Sequence, residues 1–182
     1  MLHLEENPIV AAVRTDEEFE AALVCPCNVI FMLNANVLNL ENFIKKAHEQ
    51  NKKVFVHVDV SEGIGKDHFG LGFIAKTGAE GIISTRMNLI RMAKDWNLKT
   101  VQRVFIMDSK SIDTAVEMIR SVKPDLIEVM PGIIPRVIKR FCERVSHPVI
   151  AGGLIESKED MINSLEAGAL AISTGKSDLW YK

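Results

Sequence analysis

Eight short apolar runs punctuate the chain at strand length: Ile9–Val13, Val29–Leu33, Val54–Val58, Gly81–Ser84, Val101–Met107, Leu126–Met130, Val149–Ala151 and Leu170–Ser173. Their apolar character is continuous rather than alternating, which predicts strands covered on both faces, as in a parallel sheet beneath helices. Between the runs the pattern changes to a helical period. Leu40, Phe43, Ile44 and Ala47 make one inward stripe and Ile112, Ala115, Val116 and Ile119 another, with Lys and Glu on the opposite faces. Thr15 or Asp16 is expected to open the first helix, Asn39 or Asn42 the second, and Ser109 or Ser111 the fifth. Ser157 with Asp160 reads as a capping box, and Gly168 as the stop of the helix it starts.

Strict alternation of strand and helix narrows the fold to a barrel or an open doubly wound sheet, and eight units favour the barrel. The 182 residues leave about 23 per unit, against roughly 31 in a typical barrel, so the loops must be short. The expectation is an α/β fold: a compact TIM-type (β/α)8 barrel with short loops and a truncated last helix, in one domain over residues 1–182. After the eighth run only Lys176-Ser-Asp-Leu-Trp-Tyr-Lys182 remains, too little for a full helix. The apolar strand surface left there is expected to be covered by the amino-terminal segment, by Trp180 and Tyr181, or by a second subunit, making a homo-oligomer one of the possibilities.

Composition adds limits rather than direction. With 47% hydrophobic and 25% charged residues the chain has material for one continuous core. The start, Met1-Leu-His-Leu-Glu-Glu6, lacks the pattern of a secretory signal, and no stretch approaches the ~20 apolar residues that cross a bilayer. A cytoplasmic protein without a membrane partner is expected. Cys25-Pro-Cys27 has one spacer rather than the two of redox and zinc motifs, so it and Cys142 read as reduced thiols and no metal site is expected. A net charge of −2 supplies no general attraction to nucleic acid, so such binding would need a local patch.

The candidate chemistry lies where the strands end. Two small-residue turns close the chain, Ala151-Gly-Gly-Leu-Ile155 and Ile172-Ser-Thr-Gly175, and barrels bind phosphate in the loops after strands seven and eight. Gly152, Gly153, Ser173, Thr174 and Gly175 are therefore candidates for an oxyanion cup, with Arg14 positioned to complement a dianion. Side-chain alternation turns Phe55, His57 and Asp59 towards the barrel axis, and likewise Arg103 and Glu128 on neighbouring strands, where the two charges could meet. Such a pair can plug the barrel or touch a ligand. His57 and Asp59 can fix the barrel mouth or contact a polyol or a metal. Asn34 and Thr85 are weaker strand-end signals. No nucleophile elbow, Walker loop, dinucleotide fingerprint or His-Glu-x-x-His motif is present, and no inward strand position carries a lysine for Schiff-base chemistry.

Several segments in fixed order carry a resemblance that runs nearly end to end. They are His57-Val-Asp-Val-Ser-Glu-Gly63, Gly81-Ile-Ile-Ser-Thr85, Gln102-Arg103 with Asp108-Ser109, Pro124-Asp-Leu-Ile-Glu-Val-Met-Pro-Gly-Ile-Ile-Pro135, Ala151-Gly-Gly-Leu-Ile155, and Ile172-Ser-Thr-Gly175 with Leu179-Trp180. The chain resembles the glycerol-3-phosphate-responsive antiterminator regulators of bacterial glycerol uptake operons. The resemblance implies a regulator rather than an enzyme, with glycerol 3-phosphate as effector, no cofactor, and a leader mRNA as partner whose terminator is passed when ligand is bound. For RNA the candidate surface is the helix after Pro135, where Arg136, Lys139, Arg140 and Arg144 share one face, with Lys45, Lys46, Lys52 and Lys53 as a rival patch and plain solvation as the bland alternative. The competing function is a barrel enzyme on a small phosphorylated polyol or sugar, an isomerase or phosphodiester hydrolase, using His57, Asp59 and Glu128 as acid–base or metal residues.

Overall fold

The computed structural model describes residues 2–182, and among them eight strands alternate with seven α-helices. The strands are β1 Ile9–Val13, β2 Val29–Met32, β3 Lys53–His57, β4 Gly81–Ser84, β5 Lys99–Phe105, β6 Leu126–Met130, β7 Val149–Gly152 and β8 Ala171–Thr174. The helices are α1 Asp16–Val24, α2 Leu40–Glu49, α3 His68–Lys76, α4 Met87–Ala93, α5 Ser109–Val122, α6 Pro135–Cys142 and α7 Lys158–Glu166. Every neighbouring strand pair is parallel, and β1 pairs with both β2 and β8, so the sheet closes on itself in sequence order. This is the expected (β/α)8 barrel.

Strand alternation sorts the core into two layers. Val10, Ala12, Val29, Phe31, Phe55, Ile83, Val101, Leu126, Ile150 and Ala171 point inward and pack with Leu4, which closes the amino end of the barrel. Val54, Val56 and Val58 face the helices instead, alongside Leu40, Phe43 and Ile44 of α2. The register then places Arg103 directly beside Glu128, and Gly152 beside Ser173, above the apolar layers at the carboxyl end.

Several boundaries differ from the sequence expectation. β5 starts two residues earlier and ends at Phe105, because Lys99 and Thr100 pair with β4 while Ile106 turns into the helix layer. Asp59 lies in a 3-10 turn, Val58–Val60, rather than on the strand. Helix α5 is capped by Asp108, whose carboxylate accepts from the Ser111 N–H at 2.7 Å; Ser109 is the first helical residue and Ser111 the reciprocal half of the box. Thr15 and the Ser157–Asp160 box cap α1 and α7 as expected, and Asn39 precedes α2 without a side-chain cap. Gly168, with φ of 105°, follows α7.

A 3-10 segment, Ser177–Tyr181, stands in for the missing eighth helix. Trp180 is fully buried, its indole N–H donating to the Thr174 carbonyl at 2.9 Å, and Leu179 is buried beside it, whereas Tyr181 is exposed. The uncovered strand surface is thus filled from within the chain, by Trp180 and Leu179 and not by Tyr181. The amino-terminal segment serves a different end of the barrel.

Candidate functional site at the carboxyl end of the barrel

A cavity of about 420 Å³ opens at the carboxyl end, between the loops after β1, β7 and β8. Of the candidate phosphate residues, Arg14, Gly153, Ser173, Thr174 and Gly175 line it, and so do Arg103 and Glu128. Gly153 and Ser173 therefore border one space. His57 and Asp59 do not line it.

At the phosphate end the usable donors are fewer than the sequence implied. The Ser173 hydroxyl, on an inward strand position, has no protein partner among the described residues. The Thr174 hydroxyl points the other way: it donates to the Ile155 carbonyl at 2.9 Å and accepts from the Lys176 N–H at 3.1 Å, so it fastens the two loops together and is not free to hold an anion. The start of α7 is likewise occupied, since Asp160 accepts from the N–H groups of Glu156 and Ser157 and Ser157 accepts from that of Asp160. The backbone N–H groups of Leu154 and Gly175 meet no backbone acceptor among the described residues. Both Gly153 and Leu154 adopt positive φ, 79° and 62°, so the turn curls its main chain over the cavity edge.

Charges around the cavity are mostly matched. Lys176 lies 3.5 Å from Glu156, and Arg103 lies 2.6 Å from Glu128. The Arg14 guanidinium forms no ion pair or hydrogen bond among the described residues, while the Arg14 backbone N–H donates to Glu18 Oε2 at 2.5 Å. A Cβ on Gly175 would sit 2.5 Å from Arg14 Nη1, so the absence of a side chain at 175 is what lets the guanidinium lie across the cup.

Glu128 and Arg103 form the inner end. Glu128 is fully buried, with Oε2 on Arg103 and Oε1 without a hydrogen-bond partner among the described residues. Gly152 explains how the carboxylate fits: a Cβ there would come within 2.5 Å of Glu128 Oε1. That glycine, proposed from sequence as part of the anion cup, instead clears room for the carboxylate. The orphaned oxygen belongs to a residue that lines the cavity, unlike the equally unpartnered His57 Nε2 and Gln102 Oε1, and a buried acceptor left unpaired costs about 1–3 kcal/mol.

Behind this pair lies a second polar cluster. His57 Nδ1 is 3.5 Å from Arg103 Nη1 and His57 Nε2 is 3.6 Å from Asp59 Oδ2. Asp59 also accepts from the Ser84 hydroxyl at 2.7 Å and from the Thr85 N–H and hydroxyl at 2.7 and 2.8 Å. Burial alone would raise the Asp59 carboxyl, but the His57 ring, the Thr85 N–H and the two hydroxyls together outweigh it and hold the group well below the usual carboxylate range. His57 and Asp59 thus brace Arg103 and the β3–β4 loops rather than border the cavity.

The proposed RNA residues divide in the structure. Arg136, Lys139 and Arg140 are exposed on α6, but Arg144 lies beyond the helix and pairs with Asp113 at 2.6 Å. The rival lysine patch does not form: Lys46 and Lys53 pair with Glu20 and Glu80, and Lys52 is buried, donating to the carbonyls of Cys25 and Cys27 at 2.5 and 2.8 Å. Sequence reasoning missed Glu18, Leu154 and Glu156 as cavity residues. Glu18 was legible in principle, since it stands three residues after the Thr15 cap, where a carboxylate reaches back over the turn.

Fold and cavity together define a compact β/α-barrel protein of the TIM type with a polar pocket at the carboxyl ends of its strands. The chain belongs to the glycerol-3-phosphate responsive antiterminator family, whose sequence profile matches residues 9–180. It is 34% identical to the uncharacterised protein YgcP of Escherichia coli (strain K12), over 99% of this chain and 95% of that one. A crystal structure of the glycerol uptake operon antiterminator regulatory protein from Listeria monocytogenes str. 4b F2365 superposes with a TM-score of 0.90 at 35% identity, covering 96% of this chain and 95% of that one. A glycerol uptake operon antiterminator-related protein from Thermotoga maritima MSB8 superposes with a TM-score of 0.84 at 32% identity, covering 94% and 96%. Among the described residues no helix is long and apolar enough to cross a membrane.

Proposed function

We propose that the protein is a glycerol 3-phosphate sensor that regulates glycerol-operon expression by antitermination on an RNA leader. Family membership supports the regulatory reading, and the polarity of the cavity supports the ligand. Arg14, the Ser173 hydroxyl and the loop N–H groups of Leu154 and Gly175 suit a phosphate dianion. The unpaired Oε1 of Glu128, deeper in the barrel, suits a hydroxyl donor. A phosphate at one end and a short polyol at the other matches that division, and the orphaned Glu128 oxygen is the observation that carries it. Binding is expected in the cytoplasm, where the metabolite is made and transcripts are read.

Isothermal titration with glycerol 3-phosphate tests the reading, with glycerol and inorganic phosphate as half-ligands. Saturable binding of the whole metabolite, tighter than either half, is the expected result. No saturable heat at millimolar ligand overturns it. The same free carboxylate oxygen is what a barrel enzyme would use as a base, so the ligand recovered after incubation is also analysed. Unchanged glycerol 3-phosphate is expected, and turnover would replace the sensor by a catalyst.

A further inference from the structure

Part of the carboxyl face is apolar where the barrel core has no use for it. Phe105 and Met107, at the end of β5, are 54% and 88% exposed, and Ile134, before α6, is 38% exposed. Two grooves flank the Met107–Ser109 turn. One, of about 410 Å³, is walled by Phe105, Met107 and Met118 with Lys110 at its edge. The other, of about 430 Å³, is walled by Met107, Ile112 and Ile134 with Arg136 and Arg140 at its edge. Both lie outside the central cavity, and Met107 is the ridge between them.

Around these grooves the cations Lys110, Arg136 and Arg140 outnumber the single carboxylate, Asp108. Lys110 and Arg136 make no ion pair among the described residues, and Arg140 reaches only the Ser109 hydroxyl at 3.3 Å. The sector's carboxylate, Asp108, is engaged by the Ser111 N–H in the α5 cap. Three cations around apolar clefts complement a polyanion that carries flat apolar faces. A duplex keeps those faces stacked inside, so the match is to unpaired nucleotides, whose bases stack on aromatic and apolar side chains while cations hold the phosphates.

We propose that an unpaired RNA segment docks in the two grooves either side of Met107, its bases against Phe105 and Met107 and its phosphates at Lys110, Arg136 and Arg140. The inference rests on the reading that the protein acts on a leader transcript, and it moves the RNA from the outer face of α6 to the barrel mouth. There it meets the metabolite through one side chain. Arg103 floors the first groove and also lines the central cavity, where it holds Glu128. A hydroxyl that bonds the free oxygen of Glu128 acts on the carboxylate that fixes Arg103, and so on the floor of the RNA groove.

Fluorescence anisotropy with a short single-stranded RNA pool of random sequence tests the placement, in saturating glycerol 3-phosphate and across a salt series. The double variant Phe105→Ser, Met107→Ser is expected to lose about tenfold in affinity with an unchanged salt slope, the loss of about one stacked base. Lys110→Ala with Arg136→Ala is expected to weaken binding and flatten the salt slope by about 1.4, the share of two phosphates on a single strand. All four positions are exposed and none lines the central cavity, so calorimetric binding of glycerol 3-phosphate should be unchanged and certifies folding. If wild type binds the pool and both variants bind it equally well, or if Lys139→Ala alone abolishes binding, the groove assignment is overturned while the regulatory reading survives. If wild type binds no RNA with or without glycerol 3-phosphate, the regulatory reading itself fails. If the double variant keeps RNA but loses self-association in sedimentation, the grooves belong to a protein contact and the proposal is wrong.

Discussion

Replacing Arg14 by alanine removes a guanidinium that has no protein partner among the described residues, so its loss should fall on ligand binding and leave the fold alone. A charge-assisted hydrogen bond is worth about 1.5–3 kcal/mol, which predicts roughly a 10- to 100-fold weaker affinity for glycerol 3-phosphate by calorimetry. The unliganded denaturation midpoint should hardly move, as at other exposed positions. Glu128 behaves in the opposite way. Glu128→Ala strands the buried Arg103, and breaking such a pair from one side costs about 3–5 kcal/mol, read as a lower midpoint in urea; Glu128→Gln keeps the shape and an acceptor and should recover much of it. Asp59 supplies a pH signature. Its folded carboxyl lies below its unfolded value, so the stability it contributes is fully present above the unfolded pKa of about 3.9 and is lost as pH falls through the folded one. Asp59→Asn should therefore destabilise at neutral pH, and the difference from wild type should shrink below about pH 4, as measured by denaturant midpoints in an acid series.

The last β/α unit tests how far one side chain can replace a helix. Trp180 is fully buried over the β8 and β1 side of the barrel, so Trp180→Ala should cost about 3–5 kcal/mol by opening a cavity, while Tyr181→Ala, at an exposed position, should cost little. At α7, Ser157→Ala removes one half of a reciprocal box and should cost about 1 kcal/mol, checked by the same equilibrium denaturation. These elements were legible because strand burial imposes continuous apolar runs and caps use a small set of polar residues. The misread ones fail for local reasons. The run Val101–Met107 is apolar past the point where pairing stops, since Ile106 is buried by the helix layer rather than by the sheet. Lys52 reads as a surface cation until the fold wraps two carbonyls around its ammonium. Thr174 and Ser173 are neighbours with the same chemistry, and only strand parity decides that one hydroxyl enters the cavity and the other ties a loop. Gly152 signals a close approach correctly, but what approaches is the carboxylate of Glu128, a residue far away in sequence.

At the scale of the whole molecule the cavity joins strands from both ends of the sequence: Ala12 and Arg14 from the β1 end, Ser173 and Gly175 from the β8 end, and Glu128 from between. Closure of the barrel is the condition for the site, because β1 and β8 become neighbours only when the sheet meets itself. Ligand bound across that seam should therefore stabilise the native state as a unit. A ligand confined to the folded form at a hundred times its dissociation constant adds about 2.7 kcal/mol, which for a domain of this size raises the melting temperature by about 5 to 10 °C. Glycerol 3-phosphate should produce that shift in a thermal scan. Inorganic phosphate should produce less, since it leaves Glu128 Oε1 unpaired, and glycerol least, since it leaves Arg14 without its anion. The Arg14→Ala variant at the same ligand concentration should keep no more than about half of that shift. Equal shifts from phosphate and from glycerol 3-phosphate would mean that the inner carboxylate does not read the polyol. Stabilisation undiminished in Arg14→Ala would place the phosphate somewhere other than the β1–β8 seam.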